Sequence, residues 1–189
     1  MRISTDPVFP PDGNAPGDNS PQGVVIRPYA PADAYGCHAT FQAAVHIGAA
    51  RHYDAAARMA WAPPGPMPAD WPDQLGDQMT WVAEAGGRIA GFLTLGRDGH
   101  LDLFYVAPRW MGRGVAGRLH DQALCAARTM GIAMLSTEAS HLARAFLLRN
   151  GWHSDARQSV IRHSTAITNF RMSRRIDPAP ACVSPMPGK

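Results

Sequence analysis

One segment near the middle of the chain constrains the fold more than any other. Residues 101–106 form a short run dense in apolar and aromatic residues, as expected of a central strand buried on both faces. Ala107-Pro108 ends this run, and a loop with glycines at 112, 114 and 117 leads into an apolar-periodic stretch from Gly114 to about Met130. A helix that follows a buried strand at once is typical of an α/β architecture.

The start of this predicted helix is a candidate anion site. The first N–H groups of a helix have no internal partner, and the helix dipole adds partial positive charge there. The glycines and Ala116 let a ligand approach the backbone closely, and Arg109, Arg113 and Arg118 add cationic groups nearby. The segment predicts a diphosphate-binding loop, with an ordinary glycine-rich connection as the alternative.

The rest of the body alternates strands and helices. Hydrophobic periodicity and turn residues predict strands at 24–28, 80–84, 89–95, 132–137, 153–162 and 166–174. They also predict helices at 31–50, 54–61, 114–130 and 141–150, with a Pro-rich loop at 63–72. This order predicts a three-layer α/β sandwich around a mixed sheet.

Composition separates both ends from this body. Residues 1–22 and 177–189 are rich in Pro and small polar residues, so we expect two disordered tails around one domain at 23–176. Cys37, Cys125 and Cys182 lie far apart without C-x-x-C spacing, which predicts no metal site and a reducing, cytoplasmic setting. The sequence shows neither a signal peptide nor an apolar run of ~20 residues, so no membrane partner is expected.

Residues 106–116 resemble motif A of the GNAT superfamily of N-acetyltransferases, a strand followed by V-x-P and [Q/R]-x-x-G-x-[G/A]. The corresponding residues are Val106, Pro108, Met111, Gly114 and Ala116. Met111 departs from the usual Gln or Arg, which loses one side-chain contact and leaves the backbone N–H groups in place.

Residues 140–152 resemble a second family motif, N-x-x-A-x-x-F-Y-x-x-x-G-F. The matching residues are Ala143, Phe146, Gly151 and the aromatic Trp152. Ser140 replaces the Asn that typically contacts the pantetheine arm, and Leu147 replaces the Tyr that often protonates the departing thiolate.

The resemblance extends over nearly all of 23–176, and the most similar subgroup is the bacterial YafP-like acetyltransferases. The subgroup features are His52-Tyr53 followed by Trp61, an acidic residue at Asp102, and Asn169-Phe170-Arg171-Met172. The resemblance implies the GNAT α/β/α sandwich with a mostly antiparallel sheet. It also implies acetyl-CoA as cofactor, and an amine of a small molecule or peptide that attacks directly in a ternary complex.

The same resemblance assigns site residues. Those expected to hold the cofactor are Phe104, Val106, Met111, Gly112, Arg113, Gly114, Val115, Ala116, Gly117, Ser140 and Phe146. A backbone N–H near Val106 resembles the family's oxyanion contact, and divergence of this strand from the next makes room for the pantetheine arm. Candidates for the acceptor site are His52, Tyr53 and Trp61.

Two residues are candidates for the general base. Asp102 and His100 lie two apart and share one side of a strand. Burial among apolar neighbours would disfavour the charge on Asp102, as a base working near neutral pH requires, and His100 is the rival. With Leu147 in the Tyr position, the acid is water, Tyr53 or Tyr105, although Tyr105 is expected on the opposite face from Asp102.

Other classes of protein remain as alternatives. Gly112, Gly114 and Gly117 also fit a dinucleotide fingerprint, with Glu138 at the distance of its acidic residue, but three predicted strands precede the strand at 101–106 that leads into this loop. A non-catalytic acyl-CoA sensor is compatible with Leu147. A nucleic-acid binder would use the arginines at 171, 174 and 175, and we favour a solvated strand end instead. A homodimer is left open.

Overall fold

The computed structural model describes residues 23–177, so the predicted tails lie outside the described residues except for Asp177. Seven strands form one sheet in the order β1-β2-β3-β4-β5-β7-β6. The strands are β1 Val24–Pro28, β2 Met79–Ala85, β3 Arg88–Leu95, β4 His100–Val106, β5 Met134–Ala139, β6 His153–Arg162 and β7 Thr165–Arg175. The helices are α1 Ala34–Ala43, α2 Ala55–Trp61, α3 Trp71–Gly76, α4 Val115–Thr129 and α5 His141–Arg149.

The sheet separates two apolar cores. Helices α4 and α5 cover one face, where Leu119 and Leu147 join Leu93 of the sheet. Helices α1 and α3 cover the other face, where Cys37 and Leu75 meet Phe92. All strand pairings in the described part are antiparallel except that of β4 with β5. The predicted three-layer sandwich with a mixed, mostly antiparallel sheet is confirmed.

Two local predictions need correction. The helix expected at 31–50 is composite: a 3₁₀ turn precedes α1, and a π-helical turn, Ala44–Gly48, follows it. The loop expected through residue 72 is wrong at its end, because α3 begins at Trp71 with Pro72 in its first turn, where a missing N–H costs nothing. Burial of Trp71 and Leu75 stabilises this short helix.

A bulge in β4 decides which side chains share a face. Leu93 pairs with Phe104 and Leu95 with Leu101, so two steps along β3 oppose three along β4. The extra residue changes the alternation of side chains, and Tyr105 consequently lines the same cavities as Asp102. The expectation that Tyr105 points to the opposite face was therefore wrong.

Strands β4 and β5 separate soon after they meet. They pair at His100↔Ser136 and Leu101↔Thr137, and Thr137 Oγ1 donates to Leu101 O at 2.7 Å. Beyond this point the rest of β4, through Val106, runs without a partner on its β5 side. We call this opening the strand gap, and it provides the strand divergence that the family resemblance implied.

Candidate active site

A groove of about 440 Å³ runs from the strand gap past the N terminus of α4. Most of the residues expected to hold a cofactor line it. These are Phe104, Val106, Met111, Gly112, Gly114, Ala116, Ser140 and Phe146. The groove therefore joins the two sequence motifs in space, because both the loop before α4 and the first two turns of α5 face it.

Glycine geometry keeps the start of α4 open. Gly112 and Gly114 have φ of 75° and 79°, values that side chains rarely adopt, and Gly114 is the N-cap of α4. A Cβ built at Gly112, Gly114 or Gly117 would meet no atom within 4 Å. The helical N–H groups that lack internal partners are thus accessible to a large anion.

Some expected contributors lie elsewhere. The Val115 side chain is buried in the core, and Val115, Gly117 and Arg113 are not part of the groove lining. The guanidinium of Arg113 lies 5.8 Å from the ring centre of Trp110. Arg118 is directed away from the site, since its Nη1 donates to Val24 O at 2.6 Å. Their backbone amides can still face a ligand even where the side chains do not.

Several groove residues were missed from the sequence. The π-helical turn contributes Ala44 and Val45, and α5 contributes Leu142 and Arg149. A helical spacing of three to four residues places Leu142, Phe146 and Arg149 on one face of α5. Once Phe146 was assigned to the cofactor site, this spacing could have identified Leu142 and Arg149 as groove residues. The π-helical turn had no sequence signal, although such turns are frequent at functional sites.

A second cavity, of about 240 Å³, lies at the other end of the strand gap. Its lining comes from α1, α2, α3 and the strand ends. The residues are Phe41, Tyr53, Trp61, Trp71, Gln74, His100, Asp102, Leu103, Tyr105, Glu138, Ser140, Val160, Arg162, Ile167, Thr168 and Asn169. We call this space the acceptor cavity. A small space inside the gap shares Trp61, Tyr105 and Ser140 with both the groove and this cavity.

Both candidate bases line the acceptor cavity, in different surroundings from those expected. His100 is half-buried, and its Nδ1 lies 3.0 Å from Ser136 Oγ, which leaves Nε2 as the ring nitrogen for a substrate. Asp102 is exposed, so the burial expected for it is absent. The bulge in β4 turns its carboxylate toward the amides of Gln74 and Gln78.

Of the three residues expected at the acceptor site, two line the acceptor cavity and one does not. Tyr53 and Trp61 line the acceptor cavity, with ring centres 5.3 Å apart. The Tyr53 hydroxyl is engaged, because it donates to Thr168 O and accepts from the backbone N–H of His141. His52 is exposed and stacks on His141 outside both lined spaces, so the structure does not bring it to the site.

Leu147 and Tyr105 occupy two positions from which a general acid could protonate a leaving group. Leu147 is buried in the core and has no proton to give, as expected. Tyr105 lines the groove, the strand gap and the acceptor cavity. Burial raises the pKa of Tyr105 well above its ordinary value, partly offset by a hydrogen bond that its oxygen accepts from the Trp61 indole N–H, so the phenol stays protonated near neutral pH.

His120 supports the groove from beneath and titrates abnormally. Its ring contacts Phe146 edge-on, with centres 5.6 Å apart, and its Nε2 accepts from Trp152 Nε1 at 3.0 Å. Burial, assisted by nearby Arg174, lowers the pKa of His120 to about 4. The neutral ring therefore stabilises the fold fully above its ordinary pKa of ~6.5, and this contribution is lost as pH falls toward 4.

We expect the free energy of unfolding to fall by about 2 kcal/mol between pH 7.5 and pH 5 on account of His120. Urea unfolding at both pH values measures the change, and His120→Gln should reduce the loss because the amide does not titrate. His153→Gln, at an exposed histidine of β6, is the control and should show the same loss as wild type. Equal losses in wild type and His120→Gln would assign the pH dependence to other groups.

Comparisons with known proteins agree with this geometry. The acetyltransferase (GNAT) domain family matches residues 67–174. The uncharacterized N-acetyltransferase YafP of Escherichia coli K12 is 30% identical over 149 residues, which cover 79% of this chain and 94% of YafP. A GCN5-related N-acetyltransferase from Rhodopseudomonas palustris has a TM-score of 0.75 at 31% identity, over 80% of this chain and 94% of that one. PaiA N-acetyltransferase from Thermoplasma acidophilum, solved with coenzyme A, has a TM-score of 0.64 at 15% identity, over 80% and 98%.

The diverging central strands, the open start of α4 and these matches together define an acyltransferase. The chain belongs to the GNAT family of acetyltransferases. Family membership removes the support for the dinucleotide-binding alternative, whose parallel halves the sheet does not contain. Within residues 23–177, no helix is long and apolar enough to cross a bilayer.

Proposed function

We propose that this protein transfers an acetyl group from acetyl-CoA to the amine of a small molecule or peptide, with both substrates bound at once. The observation that carries the proposal is the meeting of the groove and the acceptor cavity in the strand gap, where they share Trp61, Tyr105 and Ser140. Two substrates that enter from opposite ends would come together there, so an amine could attack directly.

The groove fits acetyl-CoA chemically. Gly112, Gly114 and Ala116 would hold the diphosphate through backbone N–H groups at the start of α4. Arg149 on the groove wall adds a cation for the phosphates. In the same wall Trp110 is buried, and its Nε1 has no hydrogen-bond partner in the described part of the chain, as expected of a surface that a ligand completes. PaiA, with a similar fold, is solved with coenzyme A.

The strand gap would stabilise the charge that develops during transfer. Bound acetyl-CoA supplies a thioester carbon to which the amine nitrogen bonds as the C–S bond breaks and the thiol leaves. Ala107 N donates to Ala90 O on the β3 side, so the preceding N–H, of Val106, points to the gap, where β5 offers no pairing. This N–H is the donor that we assign to the carbonyl oxygen.

Proton transfer would involve residues at both sides of the gap. An amine must lose its proton to attack, and His100 or Asp102 would accept it in the acceptor cavity. Tyr105 is the phenol best placed to give a proton to the thiolate, because it lines both spaces, whereas Tyr53 is held by Thr168 and His141. The proposal places this reaction in the cytoplasm, where a reduced thiol such as that of Cys37 is the rule.

Thiol release in the presence of acetyl-CoA and a panel of amines tests the proposal. We expect thiol release to depend on the amine. When the concentrations of acetyl-CoA and amine are both varied, double-reciprocal plots of the initial rate should give intersecting lines, because both substrates must be bound together. Parallel lines would instead require an acetylated enzyme. Binding of acetyl-CoA in a calorimeter without thiol release for any amine would favour the acyl-CoA sensor, the alternative that Leu147 allows.

A further inference from the structure

The acceptor cavity contains two carboxylates at the mouth of the strand gap. Asp102 and Glu138 each lie one residue beyond the last pair of β4 and β5, Leu101↔Thr137. Both are exposed, and both line the cavity. They therefore occupy matching positions on adjacent strands, beside the point where the two proposed substrates would meet.

Neutral amides, rather than cations, hold these carboxylates. The donors to Asp102 are Gln74 and Gln78, at 3.3 and 3.1 Å, and the donors to Glu138 are Gln158 and Asn169, at 2.9 and 3.3 Å. Within residues 23–177, neither carboxylate has a basic nitrogen within ion-pair distance. A carboxylate accepts about four hydrogen bonds, so each keeps spare acceptor capacity.

A third acceptor in the same wall lacks a donor. Asn169 Nδ2 donates to Glu138, and this hydrogen bond fixes which way the Asn169 amide is oriented. The other polar atom of the amide is the acceptor Oδ1. This oxygen is buried, and no described residue donates to it. A buried acceptor without a donor is costly, and a ligand rich in N–H groups would supply what this wall lacks.

The rest of the cavity is aromatic. The Phe41 ring lies 4.9 Å from that of Tyr105 and 5.4 Å from that of Trp71, centre to centre. Tyr53 and Trp61 extend this wall. Aromatic faces attract organic cations. Arg162 also lines the cavity, so two carboxylates oppose one guanidinium.

We propose that the acceptor is a small amine that carries a second positive charge, held by Glu138 and the aromatic wall while the first amine reacts in the strand gap. This inference rests on the proposed function. The reacting amine gives up its proton to His100 or Asp102, so a second cation on the acceptor is the group that pairs with Glu138. An acceptor that ends in a carboxylate would meet like charge, and one that ends in a methyl group would leave Glu138 unpaired.

Three acceptors that share one pentamethylene chain test this inference. They are 1,5-diaminopentane, n-hexylamine and 6-aminohexanoate, which end in an ammonium, a methyl and a carboxylate group. We expect kcat/KM for thiol release to be at least ~100-fold higher for the diamine than for hexylamine, and lowest for aminohexanoate. A second set on a trimethylene chain checks that the order follows charge rather than length.

The variant Glu138→Gln tests the residue that we hold responsible. This variant should lower the preference for the diamine, measured as the ratio of kcat/KM for diaminopentane to that for hexylamine, at least ~10-fold. Asp70→Asn, at an exposed carboxylate outside the lining of both spaces, should leave the preference unchanged. Equal kcat/KM for the three acceptors, or a preference for aminohexanoate, would overturn the inference and leave acetyl transfer standing. No thiol release with any amine would overturn the proposed function, and the inference with it.

Discussion

Replacing Ala116 by Glu should weaken acetyl-CoA binding at least 100-fold, which corresponds to about 2.7 kcal/mol. Ala116 is the second residue of α4 and lines the groove. A carboxylate there would occupy the space of the diphosphate and repel its charge. The same carboxylate is favourable in the first turn of a helix, so the free protein should stay folded. Calorimetric titration with acetyl-CoA measures the affinity, and thermal unfolding without ligand measures the stability.

A series of substitutions at Ala116 separates the effect of side-chain volume on acetyl-CoA affinity from the effect of charge. Ala116→Gln adds nearly the same volume without charge and should lose less affinity than Ala116→Glu, whereas Ala116→Gly should bind about as well as wild type. Gly114 is a poorer position for this test, because its φ of 79° means that any side chain strains the backbone as well as the site. Wild-type affinity in Ala116→Glu would place the diphosphate away from α4.

Replacing His100 by Gln should lower kcat about 100-fold or more and leave the Kd for acetyl-CoA within about threefold of wild type. A positioned general base typically contributes 10²–10⁴-fold to a rate, and His100 lies in the acceptor cavity rather than in the groove. Asp102→Asn should also lower turnover more than cofactor affinity, and by less than His100→Gln because Asp102 is exposed. Single-turnover rates and calorimetry measure the two quantities separately.

The pH profile decides between these two bases. If His100 is the base, His100→Gln should remove the fall of kcat/KM at acid pH. Asp102→Asn should retain it. The reverse pattern, with the acid limb lost only in Asp102→Asn, would make Asp102 the base. Ser136→Ala, which removes the Nδ1 partner of His100, should disturb the profile without abolishing turnover.

Local sequence patterns determined the architecture and the glycine-rich loop that we propose binds the cofactor. A buried strand, a glycine-rich loop and an amphipathic helix are adjacent along the chain, so spacing alone predicted an anion site at α4. Ser140 is of a residue type that favours the start of a helix, and as the N-cap of α5 its Oγ accepts from Ala143 N at 3.1 Å. Phosphate binding by backbone N–H groups needs no particular side chain, so Met111 in place of Gln or Arg did not obscure the motif.

Tertiary structure decided the shape and lining of the proposed acceptor cavity. Whether Asp102 is buried and which side Tyr105 faces depend on a one-residue bulge where β4 pairs with β3, and the residue pattern of β4 alone did not predict it. Glu138 and Asn169 become neighbours only when β5 pairs with β7. Local sequence therefore determined the loop that would hold the cofactor, because its chemistry is carried by consecutive residues. The cavity that would select the acceptor is assembled from distant segments, so only long-range strand pairing and packing could define it.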